Sequence, residues 1–224
     1  MKKYLVLLTL AYSGFSFAQT SEHRNWVTLN INQKINENFN VASDIQYRTY
    51  EDLDQLNQLL IRAGIGYNLN SNNNLLLGYA YVLTRNPIEE NDFTTFSENR
   101  FYQQFNTKHK IDRINLNHRF RFEERLMKDD IFYRFRYQFT ATLPLNNSTL
   151  SKNTFFVKAA NELFLNAIKT NNFDRNRLNL GVGYVINSNY TVEAGYMKQH
   201  VQHAQTDHLT LGVTLNNIIT KKPS

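Results

Sequence analysis

The chain has 224 residues, with 25 Lys and Arg against 19 Asp and Glu, a formal net charge of +6, and no cysteine. The lack of cysteine excludes a disulfide framework, a thiolate metal site and a lipid-modified amino-terminal cysteine. The mean hydropathy is −0.51, yet the chain contains 16 Phe and 13 Tyr and only 8 Gly and 3 Pro, a composition that favours strands.

The amino terminus has the pattern of a secretory signal peptide. Two lysines precede an apolar run over residues 4–12, and small side chains lead up to Ala18. The run is shorter than the ~20 residues that a membrane-spanning helix needs. We therefore predict a signal peptide over residues 1–18, cleaved near Ala18, and a mature domain over residues 19–224.

Beyond this terminus, polar and apolar residues alternate with period two, as they do in a β-strand. The pattern is clearest from Asn115 to Glu123, where odd positions are polar or charged and even positions are mostly apolar. In the next segment, from Ile131 to Phe139, the apolar residues take the odd positions. Segments with this alternation occupy residues 27–32, 41–48, 59–67, 75–84, 98–105, 115–123, 131–139, 155–163, 175–184, 190–196 and 208–215.

Polar breaks separate these segments. Tight-turn compositions occur at residues 36–38, 70–73, 128–130 and 187–189. Longer polar stretches occur at residues 86–95, 145–152, 166–172 and 202–206. Because no later apolar run is long enough for a membrane helix, we predict an all-β fold, a transmembrane antiparallel up-and-down β-barrel of about 10–12 strands. Twelve strands are favoured over the eleven segments counted, since bacterial single-chain barrels have even strand numbers.

The two faces of the strands favour a membrane barrel over a soluble one. The polar face is unusually charged, and a small soluble barrel has little interior room for the aromatic and aliphatic residues of the other face. We expect the apolar face to contact lipid and the charges to fill a polar lumen, with a periplasmic or secreted β-sandwich as the rival fold. Six tyrosines near strand ends suit an interfacial girdle: Tyr47, Tyr67, Tyr81, Tyr137, Tyr184 and Tyr196.

The predicted lumen carries eleven basic residues against five acidic ones. The basic residues are Arg48, Arg62, Arg100, Arg119, Arg121, Arg125, Arg134, Arg136, Lys158, Arg175 and Arg177, and the acidic residues are Asp44, Glu98, Glu123, Glu162 and Glu193. This excess of positive charge leaves two interpretations open. The charges form either a hydrogen-bonded ladder that stiffens a narrow barrel or an electropositive pore that favours anions.

Most of these charges are predicted to form one lumen network. Its members are Glu98, Arg100, Arg119, Arg121, Glu123, Arg134, Arg136, Lys158, Glu162, Arg175 and Arg177. We expect Glu123 to be buried and to accept hydrogen bonds from at least one of the arginines, with Arg134 and Arg136 the nearest on the adjacent strand. The reason is that an unpaired carboxylate in a narrow lumen is costly.

Signals for catalysis or metal binding are weak. An outer-membrane lipid hydrolase with loop His and Ser residues is the alternative function, but the spacing assigns no nucleophile–base pair. His200, His203 and His208 are interpreted as solvated loop histidines, because their spacing does not define a coordination site. We therefore predict no catalytic residue, metal or cofactor.

The arginine-rich centre of the chain resembles a known family. The run HRFRFEERL at residues 118–126 and the run FYRFRYQFTATLPL at 132–145 resemble the uncharacterised barrel family called domain of unknown function 2490. Shorter similar pieces are Trp26, RAGIGY at 62–67, LLGYAYV at 76–82, SENRFYQQF at 97–105, NELFLN at 161–166, DRNRLNLGVGY at 174–184 and EAGYM at 193–197. The resemblance implies an outer-membrane location and no established activity, so it assigns no catalytic residue.

These patterns together predict a non-enzymatic barrel of the Gram-negative outer membrane. Its expected partners are outer-membrane lipid and, if the lumen is a pore, small anionic solutes. The net charge of +6 does not point to nucleic acid, because a secreted protein rarely meets it and the location of the charges matters more than their sum.

Overall fold

The fold is a closed β-barrel. The computed structural model describes residues 22–51, 53–89, 92–128, 130–167 and 172–219, so the predicted signal peptide lies outside the described residues. Within the described parts of the chain, no helix has the length and apolar character needed to cross a membrane. The strands are β1 (Glu22–Lys34), β2 (Phe39–Thr49), β3 (Leu56–Asn68), β4 (Asn73–Glu89), β5 (Asp92–Ile111), β6 (Ile114–Met127), β7 (Asp130–Pro144), β8 (Thr154–Asn166), β9 (Phe173–Val185), β10 (Tyr190–Val201) and β11 (Ala204–Asn216).

The ring closes through a parallel pair of strands. Consecutive strands pair antiparallel around the barrel, and β1 then meets β11 in parallel, with Trp26 opposite Thr210 and Leu29 opposite Val213. An odd number of strands makes the first and last members of a meander run in the same direction. The described strands number eleven, within the predicted range but one fewer than the favoured twelve. The even-number rule fails here because a parallel ladder also satisfies the backbone hydrogen bonds of both edges.

Side chains divide cleanly between the outside and the inside of the barrel. In β3, Leu60 and Arg62 face inward and are buried, whereas Ile61 and Ile65 face outward with 45% and 63% of their surface exposed. The outward positions of the other strands are mostly apolar, including Leu77, Leu180 and Leu211, although Gln103 and Glu124 also face outward. The predicted alternation therefore places most of the strand charges inside and a mainly apolar surface outside.

The β4–β5 hairpin is longer than the sequence predicts. Residues 86–95 were expected to form a polar break, but the ladder continues through them, with Asn86 opposite Thr94 and Pro87 opposite Phe93. A β-bulge follows Pro87, as is usual where a proline interrupts a ladder. Across the strands, the Arg85 guanidinium lies 4.4 Å from the centre of the Phe93 ring. That contact and the β-branched threonines stabilise the strand conformation, although the polar composition of the segment favours a loop.

Three of the tight turns share one hydrogen-bonding pattern. The side-chain oxygens of Asn36, Asn70 and Asn187 each accept hydrogen bonds from the backbone N–H groups two and three residues later, at 2.8–3.0 Å. This is the Asx-turn arrangement that makes asparagine a turn residue. The turns follow β1, β3 and β9, so all three lie at the same end of the barrel.

Two glycines make room for aromatic rings inside the barrel. A Cβ atom on Gly78 would lie 2.2 Å from the Tyr102 ring, and one on Gly183 would lie 2.2 Å from the Phe156 ring. Both rings are buried, and the Arg121 guanidinium stacks on Tyr102 at 4.3 Å. Both glycines thus accommodate a buried aromatic ring, which is the close approach that glycine permits in a strand, and the Tyr102 ring in turn supports an arginine.

Candidate functional site

The candidate site is the interior of the barrel, which encloses a cavity of about 540 Å³. Nine of the eleven residues predicted for the lumen network line this cavity: Glu98, Arg100, Arg119, Arg134, Arg136, Lys158, Glu162, Arg175 and Arg177. The other two, Arg121 and Glu123, are buried as well, with 5% and 1% of their surface exposed. The alternation of the strands thus brings these charges to one enclosed space.

Glu123 is at the centre of the charge network. It lies opposite Arg134 in the β6–β7 ladder, and its Oε2 accepts hydrogen bonds from Arg134 Nε at 3.0 Å and Nη2 at 2.6 Å. Its Oε1 accepts a hydrogen bond from Arg136 Nη1 at 2.6 Å. Two guanidinium groups therefore compensate one buried carboxylate, which is the condition under which such a charge is tolerated.

The network extends from Glu123 to both sides. Arg136 also donates to Glu162 through Nη2 at 2.6 Å, and Arg119 Nη2 donates to the same Glu162 oxygen at 2.7 Å. On the other side, Arg134 Nη1 donates to Asp174 Oδ2 at 2.9 Å. Alternating arginines and carboxylates thus connect strands β6 to β9, and we call this part of the interior the paired wall, formed by Arg119, Glu123, Arg134, Arg136, Glu162 and Asp174.

Further ion pairs adjoin the paired wall. Glu98 accepts hydrogen bonds from Arg100 at 2.6 and 2.8 Å and from Arg125 at 2.5 and 3.1 Å. Arg121 Nη1 lies 3.6 Å from Glu123 Oε1, and its other nitrogens donate to Gln104. Four further predicted interior charges form two separate pairs. Arg62 binds Asp44 through two nitrogens, at 2.9 Å each, and Lys158 forms an ion pair with Glu193.

The buried Phe164 ring makes cation–π contacts with several arginines of the interior. The guanidinium carbons of Arg134, Arg136 and Arg177 lie 5.2, 4.4 and 4.7 Å from the centre of this ring. Such cation–π contacts strengthen when they are removed from water, and Phe164 is only 1% exposed. The ring therefore helps to hold several like charges close together.

A second cluster of aromatic and cationic groups surrounds the single tryptophan. The Arg48 guanidinium lies 3.6 Å from the centre of the Trp26 ring, and that of Arg177 lies 4.8 Å from it. Sequence reasoning did not include Trp26 among the interior residues. Trp26 occupies an even position, as Thr28 and Asn30 do, whereas the outward Val27 occupies an odd one. This alternation was the signal that would have placed Trp26 in the interior.

Asp174 is another member of the network that the sequence did not predict. In the alternation of β9 it falls on the apolar face with Leu178 and Leu180. However, the β8–β9 ladder pairs Phe164 with Arg175 and Leu165 with Phe173, which leaves Asp174 as the extra residue of a β-bulge. Because a bulge redirects its side chain, Asp174 reaches Arg134 and also Arg175, at 3.2 Å.

The histidine contacts in the described residues occur at two separate places, around His208 in β11 and around His118 in β6. His208 is 6% exposed within β11, its ring contacts Trp26 at 6.0 Å, and its Nε2 lies 2.9 Å from the Thr206 hydroxyl. The interpretation of His208 as a solvated loop residue is therefore wrong, because β11 begins at Ala204 and carries it inward. His118 stacks on His109 at 5.3 Å and contacts the Tyr137 hydroxyl at 2.8 Å.

The described residues contain neither a serine–histidine pair nor a metal-binding cluster. In the described ranges, no serine hydroxyl is hydrogen-bonded to a histidine, and no group of three His, Asp or Glu side chains could hold a metal ion. The interior offers instead guanidinium donors, paired carboxylates and side-chain amides, a set of groups that binds and orients charged molecules.

Comparison with known proteins connects the chain to proteins without an assigned activity. It is 28% identical over 188 residues to an uncharacterized protein of Methylorubrum extorquens, and the similarity covers 80% of this chain and 76% of that protein. A family model described as "Protein of unknown function (DUF2490)" matches residues 23–210. These residues span all of the interior charges described above, and the chain therefore belongs to the DUF2490 family.

Proposed function

We propose that the protein is an integral barrel of the Gram-negative outer membrane, exported with a signal peptide that is cleaved near Ala18. The outward apolar side chains support this location, because they match the lipid-facing band of such barrels. Every strand has at least 11 residues, which meets the length of about 9–11 residues that a tilted membrane strand needs. Outer-membrane lipid is then the surrounding partner.

Within that membrane, the interior acts as a narrow passage that favours anions. The observation that carries this proposal is the imbalance of interior charge. The charges predicted for the lumen comprise eleven basic side chains against five acidic ones, and Asp174 raises the acidic number only to six. Rings of arginine and lysine attract anions and repel cations, and a low-dielectric wall strengthens both effects.

The ladder and the passage are two parts of one interior in this proposal. The paired wall keeps the barrel narrow and fixes its arginines, as arginine–carboxylate forks do well. The excess arginines outside the paired wall give the remaining space its positive potential. The role is non-enzymatic, since the interior carboxylates are occupied by arginine or lysine donors rather than aligned with a nucleophile.

Planar-bilayer recording tests the proposed passage. Purified protein is expected to give small conductance steps, and a salt gradient of KCl is expected to give a reversal potential of the sign for chloride preference. The double variant Arg48→Gln/Arg177→Gln should reduce that preference, because it removes two interior charges that no carboxylate of the described residues pairs. A complete lack of conductance steps, or a preference for potassium, contradicts the anion passage.

Cell fractionation tests the location separately. The protein is expected in the outer-membrane fraction, with a mature amino terminus near Gln19 and a folded form that migrates differently from the heated form on gels. Recovery in the periplasmic fraction would support a soluble barrel instead.

A further inference from the structure

The tryptophan cluster, formed by Trp26, Arg48 and Arg177, differs from the rest of the interior in its ion pairing. In the described residues, neither arginine lies within 4.0 Å of a carboxylate oxygen, whereas arginines of the paired wall share three carboxylates. Two guanidinium groups on one indole repel each other. The cluster therefore holds uncompensated positive charge inside the barrel.

Neutral amides hold Arg48 in place without neutralising it. Its Nη2 donates to Gln46 at 2.5 Å and its Nη1 donates to Gln58, while its Nε is buried with no hydrogen-bond partner in the described part of the chain. Gln58 is fixed in turn by its donation to Thr84 at 2.8 Å. Arg48 is therefore positioned firmly by neutral acceptors, which leave its positive charge uncompensated.

Arg177 has still more unused donors. Its Nε donates to Gln199 at 2.8 Å, and no other described residue accepts a hydrogen bond from it. Arg177 has only 9% of its surface exposed, and it lines the same cavity as Arg48 and Trp26. Its two terminal nitrogens can therefore serve a molecule that enters this cavity.

We propose that the tryptophan cluster is a binding site for a small oxyanion of the size and charge of inorganic phosphate. The planar fork of arginine matches the oxygens of a phosphate or carboxylate group, and a bound anion would neutralise the repulsion between the two guanidinium groups. The cavity of about 540 Å³ accommodates such an ion together with water. This inference deepens the proposed function, because it rests on an interior that anions can enter.

The paired wall is the less suitable place for the same ion. There the fork of Arg134 is already bound to Glu123, and that of Arg136 is bound to Glu162. An entering anion would have to displace these carboxylates, which are buried and hydrogen-bonded, at a cost that the tryptophan cluster does not impose. The geometry therefore favours one side of the interior.

The site contains its own spectroscopic reporter, because Trp26 is the single tryptophan of the chain. Full-length mature protein, refolded in detergent, is titrated with sodium phosphate that replaces sodium chloride at constant ionic strength. We expect a saturable change in tryptophan fluorescence and a matching heat of binding by calorimetry, which does not depend on the environment of the indole. Arg48→Gln and Arg177→Gln should each weaken binding by about tenfold or more, the effect of losing one charge-assisted contact.

Lys158→Gln is the matched control. The substitution removes one positive charge from the cavity lining. Lys158 lies opposite Gly181, and Gly181 is four residues, or about 13 Å, from Arg177 along β9. We expect it to change the affinity less than threefold. Arg48→Lys, which keeps the charge and loses the fork, should fall between the parent and Arg48→Gln. Heat-modifiability on gels establishes that each variant is folded.

The outcomes separate the site from the passage. Lack of saturable binding to the parent protein in both measurements overturns the site, whatever the conductance. Equal weakening by Lys158→Gln and Arg177→Gln also overturns it, because the anion would then respond only to the overall charge. Saturable phosphate binding without conductance supports the site and rejects the passage.

Discussion

At the scale of single residues, Glu123 receives the guanidinium groups of Arg134 and Arg136 while it is only 1% exposed. Its inward position and its pairing follow from the period of the strand and the length of the β6–β7 turn, both of which can be read in the sequence. Asp174 could not be predicted in the same way, because its side chain turns inward through a bulge that shifts the period. The two-residue period thus predicts interior residues well until a bulge interrupts it.

Removing the charge of Glu123 should destabilise the barrel. Glu123→Gln leaves Arg134 and Arg136 with less compensation in a buried place, and a broken buried pair costs about 3–5 kcal/mol. We expect the folded form to convert to the unfolded form at a clearly lower temperature on gels.

The adjacent Glu124→Gln is the control for this prediction. Glu124 belongs to the same strand but faces the other side, where its one described hydrogen bond comes from Gln103 at 3.4 Å. Its replacement should leave the transition temperature nearly unchanged. If Glu123→Gln and Glu124→Gln behave alike, the paired wall does not stabilise the barrel.

At the scale of strands and turns, asparagine-rich segments form the connections at one end of the barrel. The sequence predicts turns at residues 36–38, 70–73 and 187–189, and the structure places an Asx turn at each of them. Composition alone misplaces the break at 86–95, because the cross-strand contact of Arg85 with Phe93 is a tertiary interaction. Local hydrogen bonding is therefore predictable from sequence, whereas strand extension depends on the partner strand.

The Asx turn after β9 is expected to contribute measurably to stability. Asn187→Ala removes the acceptor for the N–H groups of Asn189 and Tyr190, and a net loss of about 1 kcal/mol is expected because water can replace part of it. Asn187→Asp keeps a side-chain oxygen in the same place and should remain close to the parent. Urea unfolding of the refolded barrel measures both, and an equal loss in the two variants would mean that the side-chain oxygen is not what matters.

At the scale of the whole molecule, eleven strands close a ring through one parallel ladder between β1 and β11. The number of strands could be counted in the sequence, but the mode of closure could not. Period-two alternation does not state which strands are neighbours, and the rule of even numbers pointed to a twelfth strand. The closure is set by long-range pairing, which leaves no local mark in the sequence.

The parallel closure predicts a specific cross-link. Leu29 and Val213 are opposite each other across the β1–β11 ladder, and neighbouring strands lie about 4.7–4.9 Å apart, within the Cα separation that a disulfide accepts. Because the chain has no cysteine, Leu29→Cys/Val213→Cys should form the only disulfide when the folded protein is oxidised. The mobility of the double-cysteine protein on non-reducing gels should then change, and reduction of the disulfide should restore it.

A second pair of cysteines tests the register of this closure. Leu29→Cys/Leu209→Cys also places both cysteines on the outer face, but Leu209 is opposite Asn25, four residues and about 13 Å from Leu29 along the strand. That distance is too long for a disulfide, so the pair should stay reduced in the folded barrel. If the pair with Leu209→Cys cross-links and the pair with Val213→Cys does not, the ladder must be shifted by four residues. If neither pair cross-links, β1 and β11 are not neighbours, as would be the case with an additional strand between them.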